Sequence, residues 1–294
     1  MFHRLMISLV RPAVFNCSSW PSLAPRLVVF APATVILIRR FYDAAFDLAA
    51  SDRPLHAMQF DSFQLLAWGV ALYLLGRLRP AQVLRRTDIG AALVICVVGA
   101  VNTAAGLAAL TLFLLVIGGG DMRWRAVATV FGALFAQQAI VPSLFDLIGP
   151  TLTQLDAMIV GSAVKLTIAG AAWQGNIIAI PSGHAIEISP VCSSFHNVSL
   201  AALCWIALTK LERPDWRPLD LVTLCAAAGC QVLLNAVRIY FMALSFEQYL
   251  YWHGGPGAHI FSASASVAAV LISAFGARLV TPRCISSPVI VSPI

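Results

Sequence analysis

The chain has 294 residues, of which 60% are hydrophobic and 11% charged, with a mean hydropathy of +0.85 and a formal charge of +6. Soluble domains carry roughly a quarter of their residues charged, so this composition excludes a water-solvated globular fold and makes lipid the solvent for most of the chain. The positive charge does not mark a nucleic-acid partner, because the arginines fall in short breaks between apolar runs and not on one polar face.

Taken in chain order, the first apolar stretch, Leu5 to Val10, is stopped by Arg11 and Pro12. It is too short for a signal peptide, so the later helices are expected to serve as the targeting signal. Runs long enough to cross a bilayer follow at about 27–45, 61–76, 89–103, 105–119, 127–145, 192–209, 219–239 and 259–279. The first contains Arg39 and Arg40, which need to snorkel or find a partner. The third and fourth form a hairpin joined only by Val101-Asn102-Thr103. A further apolar run, Leu152 to Ala172, follows Pro150 and is interrupted by Gln154, Asp156, Ser162, Lys165 and Thr167. It reads as an interfacial amphipathic helix. The expected fold class is therefore all-α: a polytopic transmembrane helix bundle of about eight spans plus one interfacial helix.

A single integral membrane domain is expected over 1–294. The N-terminal helices of the bundle occupy 1–150, and the interfacial helix and the helices carrying the reactive residues occupy 151–280. Residues 285–294 are expected to form a flexible tail.

Charge orients this bundle. With both termini cytoplasmic, the inner segments hold Arg4, Arg11, Arg26, Arg77, Arg79, Arg85, Arg86, Arg123, Arg125, Lys210, Arg213, Arg217, Arg278 and Arg283. The outer side keeps only Arg39, Arg40, Arg53, Lys165 and Arg238, as cationic loops prefer the cytoplasm. Making Leu152 to Ala172 a full span would invert everything after it and strand the basic 210–217 loop outside.

On this topology three polar segments of the second half meet the outer surface: Gly175 to Cys192, Asn235 to Arg238, and Tyr251 to His259. Cys192 opens an apolar helix after Ser189-Pro190, where helix N–H groups and the dipole favour a thiolate. The alternative is a small packing residue. Arg238 ends a run otherwise free of charge, Leu221 to Tyr240, and suits a thiolate, an oxyanion or a carboxylate, unless it only snorkels to headgroups. Asn235 shares its helix face and is placed to orient it. His259 opens the last span and is a candidate for proton transfer. His253 and His196 compete for that role, and His184 and Glu187 are near. The seven cysteines include no CxxC pair, and the histidines form no helical HxxxH or HExxH. No metal or cofactor is expected.

These residues resemble a known family. Gly175-Asn176, Pro181-Ser182-Gly183, Glu187, Cys192-Ser193, Asn235 to Arg238, and His259 resemble the pattern of the exosortases and archaeosortases, most strongly over about 170–280. Two positions depart from it, with Ser194 and His196 where that family often has glycine and arginine. The resemblance implies a Cys192, Arg238, His259 triad at the non-cytoplasmic face of a prokaryotic inner membrane. It also implies cleavage of a C-terminal sorting signal, made of a short motif, a transmembrane helix and a basic tail, from an exported protein partner. The product passes to water or to an amine acceptor on a lipid or glycan. The other readings are a transporter or assembly factor for polysaccharide or lipid-linked sugar export, and a scaffold without an active site.

Overall fold

A computed structural model describes residues 20–50, 62–78, 85–189 and 192–280. The reading of Leu5 to Val10 as too short for a signal peptide and the tail expected over 285–294 lie outside the described residues. In chain order the elements are α1 (Trp20–Ala50), α2 (Ser62–Arg77), α3 (Arg86–Val101), α4 (Thr103–Gly118) and α5 (Met122–Phe135), then a π-helical turn (Ala136–Ile140) and α6 (Val141–Thr167). Three strands follow, β1 (Ala172–Gln174), β2 (Ile177–Ala179) and β3 (Ala185–Glu187). The chain continues as α7 (Ser194–Glu212), α8 (Pro218–Leu244), α9 (Phe246–His253) and α10 (Pro256–Val280).

Where the structure describes them, the eight runs expected to cross a bilayer fall largely on helical segments, the fifth of them spanning α5, the π turn and the start of α6. Among the described residues, three helical runs suffice by length and composition to cross a membrane, Met122–Thr167, Pro218–Leu244 and Pro256–Val280, and Thr103–Gly118 is a shorter apolar helix. Large apolar side chains point outward along these helices, Val116 at 80% and Leu279 at 84% exposure. A water-facing surface does not carry such a coat, whereas a lipid-facing one does.

The α3–α4 hairpin turns on one residue. Asn102 ends α3 and caps α4, its side chain accepting from the Ala105 N–H at 2.9 Å. Glycine lets the two arms close: a Cβ on Gly106 would lie 2.5 Å from the Gly99 Cα, with Ile36 of α1 packed against both. Arg39 is paired and not only snorkelling. Its Nε meets Asp43 at 2.8 Å, its Nη1 donates to the Ala100 carbonyl at 3.2 Å, and Thr103 donates to the same carboxylate at 3.1 Å.

Two expectations are corrected here. The helix does not restart after Pro150, which sits inside α6. The regular ladder is instead interrupted at the π turn, where the Val141 N–H reaches the Ala136 carbonyl. Pro142 follows directly and has no N–H to offer Gln138, so a widened turn is the local remedy. Nor is the chain purely helical. Residues 172–187 form an antiparallel meander in the order β1-β2-β3, with Ile178 paired to Trp173 on one side and Ile186 on the other. Gly175, at φ 59°, takes the first central position of the two-residue β1–β2 turn, where a positive φ favours glycine. Alternation buries Ile178, Ile186 and Ile188 and exposes Ala185 and Glu187.

Helix α7 is the common wall. On one side it joins a core built from α1 to α5, through Leu203 and Ala207. On the other it packs on α8 and α10. A second core gathers Ala157, Val160 and Val164 of α6, the sheet isoleucines, Cys192, and Ile239 and Met242 of α8. The reactive residues lie at the edge of that second core.

Candidate active site

Cys192 is buried at 6% exposure, two residues ahead of α7. Its backbone is held on both sides. The Cys192 N–H donates to the Ser189 carbonyl at 2.9 Å, and Asn235 of α8 donates through Nδ2 to the Cys192 carbonyl at 2.8 Å. Asn235 is fully buried, and it also meets Ser194 Oγ at 3.2 Å and accepts from Asn197 at 3.4 Å. It therefore positions the cysteine backbone, where the helix spacing had suggested a hold on Arg238.

The start of α7 differs from its expected form. The Ser194 N–H donates to Asp156 at 3.0 Å, and the Phe195 N–H donates to Ser193 Oγ at 3.3 Å. These two amides are thus taken by protein groups and are not open to stabilise a thiolate or an oxyanion.

The cysteine sulfur lies 3.8 Å from His253 Nδ1. His253 is the last residue of α9, stacked on Tyr249 with ring centroids 4.8 Å apart and planes 13° from parallel. Tyr249 in turn packs edge-on against His184, whose Nε2 lies 3.0 Å from the Met242 carbonyl. Arg238 closes the group. Its Nε donates to the Trp252 carbonyl at 3.0 Å, its Nη2 to the His253 carbonyl at 3.4 Å, and its plane lies 4.8 Å from the Phe261 ring. These carbonyls end a helix and lack intrahelical donors, so a guanidinium is a natural cap.

After His253 the chain reverses through Gly254-Gly255-Pro256-Gly257. A Cβ on Gly255 would stand 2.9 Å from the carbonyl oxygens of Leu250 and Tyr251, and one on Gly257 would stand 2.6 Å from the Tyr251 ring. The turn is therefore packed tightly against α9.

Cys192 and Arg238 converge on His253, the one at its ring and the other at its carbonyl. His259, one turn into α10, is exposed, as His253 is, but its side chain forms no hydrogen bond among the described residues. His196 is exposed on the first turn of α7. Glu187 accepts from Asn176 at 3.2 Å, and Asn176 also donates to the Ile188 carbonyl at 3.2 Å. That part of the motif staples the β1–β2 turn to the strand leading to Cys192. Among the described residues no group of three or more His, Cys, Asp or Glu is arranged to hold a metal ion.

A family model for transmembrane exosortases matches residues 26–270. The match takes in both cores and Cys192, Arg238 and His253, and the chain belongs to that family of integral membrane proteins. No curated protein and no solved structure shows a significant match.

Proposed function

We propose that the chain is a membrane cysteine peptidase or transpeptidase that removes C-terminal sorting signals from exported proteins. The observation that carries this reading is the 3.8 Å approach of Cys192 Sγ to His253 Nδ1 beside the Arg238 guanidinium. A thiol against an imidazole, with a planar cation held on the carbonyl of the same histidine, supplies the groups that acyl transfer through a thioester uses.

In this reading His253 takes the Cys192 proton, and the thiolate attacks the scissile carbonyl. Arg238 stabilises the tetrahedral oxyanion, the more so because the Ser194 and Phe195 amides are occupied. Collapse breaks the C–N bond, and His253 returns the proton to the leaving amine, which departs with the transmembrane helix. Water, or an amine on a lipid or glycan, then attacks the thioester, giving its proton to His253, and the thiolate is released. Geometry favours His253 for this role over His259, which the family resemblance suggested. The charge distribution supports a site on the non-cytoplasmic face with both termini inside.

Co-expression with an exported protein ending in a short motif, an apolar helix and a basic tail provides the test. Cys192→Ala is expected to leave that helix attached, as read by intact mass. Cleavage at the wild-type level would sink the peptidase reading and favour an export factor or scaffold.

A further inference from the structure

Asp156 is a buried carboxylate to which neither the family pattern nor the reaction above gives a role. It projects from α6 at 8% exposure, in the run that the sequence presents as interfacial. Oδ2 accepts from Ser193 Oγ and from the Ser194 N–H, both at 3.0 Å, and Oδ1 accepts from Ser194 Oγ at 2.7 Å. A carboxylate is a pure acceptor, and here it faces three donors. The two serine hydroxyls, having given their protons to it, are left as acceptors. Ser193 Oγ receives the Phe195 N–H, and Ser194 Oγ receives Asn235 Nδ2. Asn235 spends the same amide on the Cys192 carbonyl. The carboxylate sets the direction of the two hydroxyl bonds, and these fit the fixed roles of the Ser194 and Phe195 N–H groups as donors and of the Cys192 carbonyl as acceptor.

We propose that Asp156 is a positioning residue for Cys192: through Ser193, Ser194 and Asn235 it fixes the turn before α7 so that the sulfur stays within reach of His253. The carboxylate does not touch the reacting atoms. It joins three segments distant in sequence, α6, the start of α7 and the middle of α8, at the one point where the nucleophile enters the helix. An uncharged amide cannot replace it, because its NH2 would face a hydroxyl donor and reverse one of the bonds. This inference rests on the peptidase reading for its catalytic consequence but not for its geometric one.

The experiment uses the full chain in lipid nanodiscs with the other six cysteines replaced by alanine, so that maleimide alkylation reports Cys192 alone. Asp156→Asn is expected to change the alkylation rate several-fold. It should lower kcat for a sorting-signal peptide by on the order of 100-fold, the effect of a small misplacement of a reacting group, with KM within about twofold. Ser194→Ala should lower kcat by roughly tenfold, as expected for one lost hydrogen bond, and Ser194→Thr should recover it. Combining Asp156→Asn with Asn235→Ala should cost less than the product of the single effects. Unchanged alkylation in Asp156→Asn overturns the proposal whether or not any peptide is cleaved. So does a lowered melting temperature with wild-type kcat per folded molecule. If the wild type cleaves no peptide but Asp156→Asn still alters alkylation, the positioning role stands and the peptidase reading falls. Should Asp156→Asn fail to accumulate, alkylation of Ser194→Ala decides the matter by the same criterion.

Discussion

The two histidines six residues apart, His253 and His259, make opposite predictions that one pair of substitutions separates. His253 Nδ1 is 3.8 Å from the Cys192 sulfur, its ring is stacked on Tyr249, and its carbonyl is held by Arg238. A proton-transfer group in that position contributes about 10²- to 10⁴-fold, or about 3–5 kcal/mol of barrier. His253→Ala should therefore lower kcat by at least about 100-fold. The side chain of His259 has no such partner among the described residues, and its replacement by Ala should stay within about threefold, as for surface substitutions worth roughly 0.5 kcal/mol. Cleavage of a fluorogenic peptide spanning the sorting motif, followed with purified protein in nanodiscs, supplies both numbers. Alkylation of Cys192 in each variant shows whether the nucleophile remains in place. A 100-fold loss in His259→Ala together with near-normal turnover in His253→Ala would refute the assignment.

Arg238→Lys keeps the charge but cannot bond to the Trp252 and His253 carbonyls and also present a nitrogen to an oxyanion. Turnover should fall by about 100-fold or more while the protein level on immunoblots stays near normal. Gly106→Val forces a side chain onto the Gly99 backbone, and it should lower the melting temperature in detergent by several degrees, whereas Gly90→Val, at an open site, should not. Lys210, at the C-terminal end of α7 beyond its apolar run, is 2% exposed, 3.3 Å from the centre of the Trp216 ring, and bonded to the Pro214 and Asp215 carbonyls. Burial, only partly opposed by Asp220 and Asp215, pushes its ammonium down to about 8 from an ordinary 10.5. Below pH 8 both the folded and the unfolded chain hold this proton, and between 8 and 10.5 only the unfolded chain does. Stability should therefore rise with pH across that window. Melting curves at pH 7 and pH 9.5 should show the rise in wild type and a smaller one in Lys210→Met; equal slopes would contradict it.

The helices were legible because a bilayer demands long apolar runs, and such runs leave a plain mark on sequence. The short connection at Asn102 was legible for a related reason, since a residue that both ends and caps a helix needs no neighbours to explain it. The meander was also within reach. Ala185-Ile186-Glu187-Ile188 alternates, but three-residue strands beside a proline-glycine turn are easily read as loop. Pro150 misled because proline inside a helix removes a single bond, and the neighbouring chain can carry the ladder across it. In the site, Cys192 and Arg238 were legible from their anomaly against an apolar background. Asp156 was legible only as a blemish in its run. Nothing local tells a carboxylate that meets headgroups from one that meets two serines 37 and 38 positions away.

The glycine turn between α9 and α10 carries a consequence for how substitutions would be tolerated around the site. Gly255 and Gly257 admit no side chain without displacing the backbone of α9 or the Tyr251 ring, whereas Gly254 faces open space at φ −135°. A saturation screen for function should thus find 254 permissive and 255 and 257 restricted to glycine, with His253 restricted beside them. Two of those three positions would be immutable for want of room and one for its chemistry. A list of intolerant residues alone would wrongly enlarge the catalytic machinery by a pair of glycines.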